Sequence, residues 1–535
     1  MLKSEVWICC SFGMAGVSEG RFDSHSFDYW ANPTVEEWDM SMWIGSYIPK
    51  ARTASETSPR HSLPTHQDPP GSRASGVAKQ VKKSVDVHVR IRPLIDGEVE
   101  RQDATLSFQT STTRGTSLSF SLPKTDNDDV EFVEVLGGFQ VPKSKPKRDK
   151  RFSHFTSVHR DVTNRSFFDA TVAPLVDEAL AGRTGCCFAY GHTGSGKTHT
   201  ILGYGAEHGM YHLAATQLFA ALDRVNMDVH DDQDRVKIQV RFNEVYNGDV
   251  YDLLHDGAKC FVREDGHGKV QIRSDTTTDA VTGLVTTAFS SSHLATSETE
   301  LLAIVTKGTL SRATGNSNVH RASSRSHALL QMELVSDRVL ALRDVVARKE
   351  AELGRCGYER DSLDMDIFVR QHDKFEGKWV KKADALASTP AECAQLLQFR
   401  RLYARLEAEI AAAQADVANA PGLPCVGGAV VFVDLAGSEH ASKITDGIQK
   451  TDDEQQECRE INQSLSALRA CFLATARGHR SVSCYRESKL TLALRDHLRA
   501  HGGSRTVMIA AISPSSFHVD KTIHTLQYAQ MVAQP

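Results

Sequence analysis

The chain of 535 residues has little that would mark it as metal-stapled, exported or membrane-inserted. Its eleven cysteines include no C-x-x-C pair, so neither a zinc site nor a disulfide framework is indicated. Reduced thiols in a cytosolic compartment are expected. No apolar run reaches transmembrane length, and insertion into a membrane is not expected. Val6 to Val17 is mildly apolar, but Glu5 is badly placed for a leader and no clear cleavage site follows. Positive charge is not in surplus either: 62 Lys and Arg against 67 Asp and Glu give a net charge of −5. No nucleic-acid partner is expected from that balance, and any acidic polymer must be met by a local patch. A content of 40% hydrophobic and 24% charged residues is that of a soluble globular protein, long enough for one large domain plus extras.

Against that background one segment stands out. Residues 191–198 read Gly-His-Thr-Gly-Ser-Gly-Lys-Thr, the phosphate-loop pattern G-x-x-x-x-G-K-[ST]. A loop that wraps a polyphosphate must bring backbone N–H groups close, and Gly191, Gly194 and Gly196 carry no Cβ to obstruct this. Lys197 can place an ammonium on the β- and γ-phosphates, and Thr198 offers a hydroxyl to Mg²⁺, a hard cation. The apolar run Gly185 to Tyr190 reads as a buried strand, and the loop should open a helix whose N-terminus favours anions. About 0.02 such matches are expected by chance in a chain of this length.

Two later segments bear on what the nucleotide is used for. Ser323-Ser324-Arg325-Ser326-His327 follows a stretch rich in turn formers. Val431 to Glu439 is an apolar strand ending in Asp-x-x-Gly: Asp434 is placed to hold a water on Mg²⁺, and Gly437 can give a backbone N–H to the γ-phosphate. Such segments move when the γ-phosphate leaves, and so act as switches.

Together these residues resemble the kinesin motor family. The resemblance runs through Phe188 to Thr200, Ser323 to His327, Asp434 to Glu439, Ile461 to Leu468 and Tyr485 to Thr491. A first strand at Val85 to Leu94 and a last strand and helix at Ile509 to Ala529 complete it, over about residues 84–533. It implies a three-layer α/β P-loop NTPase fold, with a central, mostly parallel eight-stranded sheet flanked by helices. It implies ATP and Mg²⁺ as cofactors, microtubules (tubulin) as the partner, and a location in the cytoplasm on the cytoskeleton. By the same resemblance, Arg90, Arg92 and Pro93 would cradle the adenine and His199 would stack on it, while His192, Thr193 and Ser195 complete the phosphate loop. Ser323 and Ser324 would close over the γ-phosphate, with Thr198, Ser324 and Asp434 around Mg²⁺. Arg325 and Glu439 would form an ion pair between the switches, and Gly437 would sense the phosphate. Arg477, Arg480, Arg486 and Lys489 would meet the acidic filament.

The organisation along the chain follows. Residues 1–83 form an extension, largely disordered from 51, although residues 1–50 hold four of the five Trp. The motor-like domain, 84–535, carries an insertion around Ser119 to Arg151 that ends in a basic run, read as a solvated loop. A second insertion, about 336–427, separates the strands Ala328 to Val335 and Val430 to Asp434 by far more than an ordinary loop. Leu396, Phe399, Tyr403, Leu406, Ile410, Ala413 and Val417 follow coiled-coil spacing, and Val335, Val339, Leu342, Val346 and Leu353 do so more weakly. An internal antiparallel helical hairpin is the preferred reading, and a dimer through these helices the rival. Ile461, Leu465, Leu468 and Phe472 mark one buried face of a relay helix.

Several positions depart from the family's pattern: His320 and His440 at the switches, Cys458 and Cys484 near the relay helix, and a longer loop carrying Asp452-Asp453-Glu454, expected to repel acidic tubulin. The chief reading is an ATP-dependent microtubule motor. Its rivals are a degenerate head acting as a non-cycling scaffold, and an ATPase acting on another polymer.

Overall fold

The computed structural model describes residues 85–112, 116–121, 132–135, 139–142, 149–264, 270–278, 285–314, 324–375, 378–420, 422–437, 444–445, 448–449, 451–476, 483–498 and 505–534. The N-terminal extension, most of the basic run at 143–151, and His320, Ser323, Glu439, His440, Arg477 and Arg480 lie outside these residues.

Twelve strands form one sheet. In chain order they are β1 Asp86–Ile91, β2 Ser157–Arg160, β3 Thr184–Tyr190, β4 Lys237–Tyr246, β5 Asp249–Asp252, β6 Ala258–Glu264, β7 Val270–Thr278, β8 Val285–Phe289, β9 His293–Ala295, β10 His327–Val335, β11 Ala429–Asp434 and β12 Arg505–Ile512. Their spatial order is β2-β1-β12-β3-β11-β10-β4-β5-β6-β7-β8, with β9 beside β4. The first eight are the expected central sheet: four of its seven pairings are parallel, from β2 to β11, and the other three are antiparallel. Strands β6 to β8 lengthen it beyond the expected eight by antiparallel pairing.

The helices are α1 Asp96–Glu100, α2 Asn164–Thr171, α3 Ala173–Leu180, α4 Lys197–Leu202, α5 Met210–Met227, α6 Glu298–Thr314, α7 Asp337–Gln371, α8 Pro390–Ala418, α9 Asp452–Ala476, α10 Lys489–Ala493 and α11 Val519–Ala533. Strand β3 shows how they cover the sheet. Its side chains alternate, so Cys186, Phe188 and Tyr190 enter one core with Leu465, Leu468 and Phe472 of α9 and Leu526 and Ala529 of α11. Cys187 and Ala189 enter the other core with Leu175 of α3, Met210 and Leu218 of α5 and Leu301 of α6. The result is a three-layer α/β sandwich whose central strands are apolar on both faces.

Parallel pairing brings the C-terminal ends of β1, β3, β11 and β12 to one end of the sheet, where α/β proteins bind their ligands. Antiparallel β10 begins at that same end, because Ala328 pairs with Asp434. The second insertion therefore leaves from the opposite end. There α7 and α8 pack against each other as the internal hairpin anticipated from their spacing, burying Val339, Cys356 and Ile367 against Leu406, Ile410 and Ala413. Val335, expected in the helical pattern, is the last residue of β10. The hairpin starts cleanly: Ser336 accepts from the Val339 N–H, and Thr389, Pro390 and Glu392 give α8 a capping box with proline in its first turn.

Candidate functional site

Three elements build the phosphate loop. Strand β3 delivers Gly191 beside the end of β12, where a Cβ would meet the Ala511 carbonyl at 2.3 Å; φ of +154° adds to the demand for glycine. At the far end Gly196 starts α4 in the left-handed region. Between them Thr193 and Gly194 are exposed at the crest, whereas His192 and Ser195 are buried at the base. The Lys197 ammonium is buried and donates to the carbonyls of Gly191 (2.9 Å) and His192 (3.1 Å), which hold it folded over the loop. Both His192 ring nitrogens and the Ser195 hydroxyl are buried without a partner. Burial, reinforced by the charges of His518 and Lys197, pushes the His192 imidazole down to about 2, so it is neutral at any physiological pH.

The arginines after β1 divide the work. Arg92 donates from Nε to the Gly194 carbonyl (2.7 Å) and grips Glu98 of α1 with both terminal nitrogens (2.6 and 2.7 Å), bracing the crest of the loop. Burial works against the Glu98 charge, but Arg92 and the Ile95 N–H outweigh it and hold the carboxyl at about 2. Pro93 is exposed beside them. Arg90 instead works from behind: it is buried and donates to Asn164 (2.5 Å), Thr200 (2.8 Å) and the Val162 carbonyl (3.1 Å), fixing α2 to α4. His199 is half-exposed, with Nε2 3.2 Å from Glu207, and Thr198 lies partly exposed one position before it.

The two switch segments are joined directly, because the Gly437 N–H donates to the Ser324 carbonyl (2.8 Å). Asp434 is 1% exposed: its Oδ2 accepts from Arg312 of α6 (2.9 Å), while its Oδ1 has no partner. A buried carboxylate oxygen left open at a strand end is a donor suited to a hard cation or its water. Arg312 also binds the Ser326 hydroxyl and carbonyl, tying α6 to the start of β10.

His327 carries the link onward. Burial first, then the charges of Arg312 and Lys197, lower its imidazole to about 3, so it is neutral. Its Nδ1 accepts from the Ala436 N–H (3.0 Å), which leaves the proton on Nε2 to donate to Ser464 of α9 (2.7 Å). The Ser464 hydroxyl in turn donates to the Ile461 carbonyl (2.7 Å). A chain of hydrogen bonds thus runs from the second switch into α9, on the face where Ile461, Leu465, Leu468 and Phe472 are buried as their spacing anticipated. Arg312, His327 and Ser464 escaped assignment from sequence; the one signal was that His327 and Ser464 lie inside matched motifs.

Arg325 makes a second link to α9. Its guanidinium meets Glu457 at 2.6 Å and Glu454 at 3.1 Å, and the Tyr246 hydroxyl donates to the same Glu457. Asp452, Asp453 and Glu454, anticipated as a repulsive loop, form the first turn of α9. Glu454 also closes a capping box with Thr451. Of the residues expected to meet a filament, Arg486 is half-exposed and bonded to Glu264 (2.8 Å), and Lys489 opens α10.

Comparisons with known proteins agree with this geometry. The family model described as "Kinesin motor domain" matches residues 90–349 and 406–534. The human kinesin-like protein KIF24 is 29% identical over 372 residues, covering 70% of this chain and 19% of that protein. Human KIF18B is 29% identical over 395 residues, with 74% and 34% covered. Rice (Oryza sativa subsp. japonica) KIN-13A is 26% identical over 482 residues, with 88% and 44% covered. The chain therefore spans about a fifth to two fifths of the length of these relatives. A solved C-terminal motor and motor homology domain of Kar3Vik1, fused to a synthetic heterodimeric coiled coil, superposes with a TM-score of 0.51 at 22% identity, covering 84% of this chain and 85% of that one. With the family model matching well over half of its residues, the chain belongs to the kinesin motor-domain family.

Proposed function

We propose that this chain is an ATP-dependent microtubule motor head, acting in the cytoplasm on the microtubule cytoskeleton. The observation that carries the proposal is the hydrogen-bonded path from the second switch, through Ala436, His327 and Ser464, into the relay helix α9. A motor needs its nucleotide site joined to a mobile element, and this path supplies the join.

In this reading Gly191 to Thr198 hold the phosphates, with Lys197 exchanging its two carbonyl partners for phosphate oxygens. Arg92 and Pro93 border the adenine, with His199 across from them. Thr198, Ser324 and Asp434 would hold Mg²⁺, which supplies charge neutralisation to the phosphates when bound. Ser323 and Ser324 close over the γ-phosphate, and Gly437 reports its presence through the same N–H that now bonds Ser324. Closure of the switches would pair Arg325 with Glu439, so Arg325 must leave Glu454 and Glu457. Nucleotide capture and release of α9 then become one event, because one guanidinium cannot satisfy both sets of carboxylates. Arg477, Arg480, Arg486 and Lys489 provide the filament contacts.

The scaffold reading keeps its acidic support only in part, since Glu454 is paired with Arg325 before closure whereas Asp452 and Asp453 are exposed. ATP hydrolysis by the purified chain, with and without microtubules, is the test. Stimulated turnover that Glu439→Ala abolishes, with ATP binding retained, is expected. Microtubule binding without turnover would instead establish the scaffold, and stimulation by a different filament alone would establish an ATPase of another polymer.

A further inference from the structure

The distal part of the α7–α8 hairpin falls in residues 350–405, which the family match skips. Tyr358, Met365 and Val369 on α7 are spaced seven and four, and so lie within about 40° of one another around the helix. All three are exposed. They face away from α8, because Cys356 and Ile367, buried against it, fall on the opposite side of α7. Beyond the helix, the strands His372–Phe375 and Lys378–Lys381 pair as an antiparallel tip on which Phe375 is 68% and Val380 52% exposed. The tip is fixed to the helix: Phe368 stacks on His372 at 4.1 Å and meets Trp379 edge-on at 5.4 Å. Exposed apolar side chains therefore stand along one face of α7 from Tyr358 to Val369, with Asp361 and Ser362 between the first two, and again on the tip.

Its charges are segregated. Residues 372–382 hold four lysines (Lys374, Lys378, Lys381 and Lys382) against two carboxylates. Residues 361–366 read Asp-Ser-Leu-Asp-Met-Asp, three carboxylates of which Asp361 is paired with the neighbouring Arg360 (2.8 Å). The two stretches are about 15 Å apart along the helix axis. An acidic peptide would satisfy the lysines but meet like charge at Asp361, Asp364 and Asp366. A surface with exposed apolar side chains, lysines at one end and carboxylates at the other is complementary to its own two-fold copy.

We propose that the distal hairpin is a docking surface for a second copy of this chain, with the two α7 helices antiparallel and each lysine-bearing tip over the other copy's Asp361 to Asp366. This pairing joins two heads through the middle of the chain, and it stands or falls independently of the motor reading. Sedimentation velocity on the full chain tests it: a dimer fraction that rises between about 1 and 100 µM and falls as salt is raised to about 0.5 M is expected. Lys378→Glu with Lys381→Glu should leave a monomer, as should Asp361→Lys with Asp364→Lys, while an equimolar mixture of the two variants should recover the dimer. Should a variant fail to fold, by its circular dichroism, the salt response of the unaltered chain decides. A monomer throughout that range, a dimer indifferent to salt and to both swaps, or swapped chains that ignore each other would overturn the proposal.

Discussion

Strands β10 and β11 run side by side from the nucleotide end of the sheet to the hairpin, and the nucleotide end and the hairpin hold charge in opposite ways. At the nucleotide end Arg312, Asp434, Ser326, His327 and Ser464 are all buried, and nearly every donor is matched over distances of 2.7–3.2 Å. In the hairpin that leaves their other end, Lys349–Glu409 and Arg370–Glu392 sit partly in water, although Glu333 on β10 itself is buried between Arg241 and Arg343. Exposed pairs of this kind contribute about 0–1 kcal/mol each, whereas a buried polar group left without its partner costs about 1–3 kcal/mol. Substitution should therefore be costly at the nucleotide end of this strand pair and better tolerated in the hairpin beyond its other end.

The comparison breaks most readily at the phosphate loop. Lys197→Ala removes the one buried ammonium over the loop and should lower ATP affinity by about a thousandfold, measured by calorimetric titration. ATP affinity within tenfold of the parent would show that the loop does not depend on this lysine. Next comes His327→Ala, which strands the buried Ala436 N–H and takes the donor from the Ser464 oxygen, whose own proton stays on the Ile461 carbonyl. Urea unfolding should register a loss of about 2–4 kcal/mol, with microtubule stimulation of turnover falling more than basal turnover. Equal losses in both rates would reduce His327 to a packing role.

Acid should expose the same asymmetry. His192 and His327 are held neutral, at about 2 and about 3, below the unfolded value near 6.5. The unfolded chain therefore binds more protons, so the stability these residues permit is complete above pH 6.5 and lost as pH falls from there toward 3. At pH 5 each should have cost about 2 kcal/mol. Unfolding free energies at pH 7 and pH 5, compared between the parent and His192→Gln, isolate one of the two; an unchanged pH slope would mean that this ring is charged or hydrated in the folded protein.

What the sequence made legible divides along the same line. The phosphate loop spans only eight residues, and its chemistry is local. The relay-helix face and the hairpin were readable because periodicity is local too. The transmitter was not, since Arg312 and Asp434 are 122 residues apart in sequence, His327 and Ser464 137, and Arg325 and Glu457 132. Nothing in the spacing of such residues says which carboxylate an arginine will meet once the sheet has formed. The extension β6–β8 also gave no signal, and the first-turn acids of α9 read as a loose loop because their partner Arg325 is distant.

The smallest effect should come from the largest deletion. The Leu334 N–H donates to the Gly428 carbonyl (2.8 Å) and the Gly427 N–H to the Leu334 carbonyl (2.7 Å), so the chain re-enters the sheet one strand spacing from where it left. A gap of about 4.8 Å can be closed by a short turn. Replacing residues 337–423 by such a turn, which spares Cys425 of the main core, gives up a core shared mainly between α7 and α8, the partly exposed Arg338 pairs to Asp231 and Asp234 and Lys237–Asp337 contact, and Arg343, one of two arginines on the buried Glu333 carboxylate. With Arg241 still paired to Glu333, the head should lose about 1–3 kcal/mol and keep its basal ATPase rate. A head that unfolds without the hairpin would mean that the hairpin carries part of the fold, and the contrast between it and the nucleotide end of β10 and β11 would have to be withdrawn.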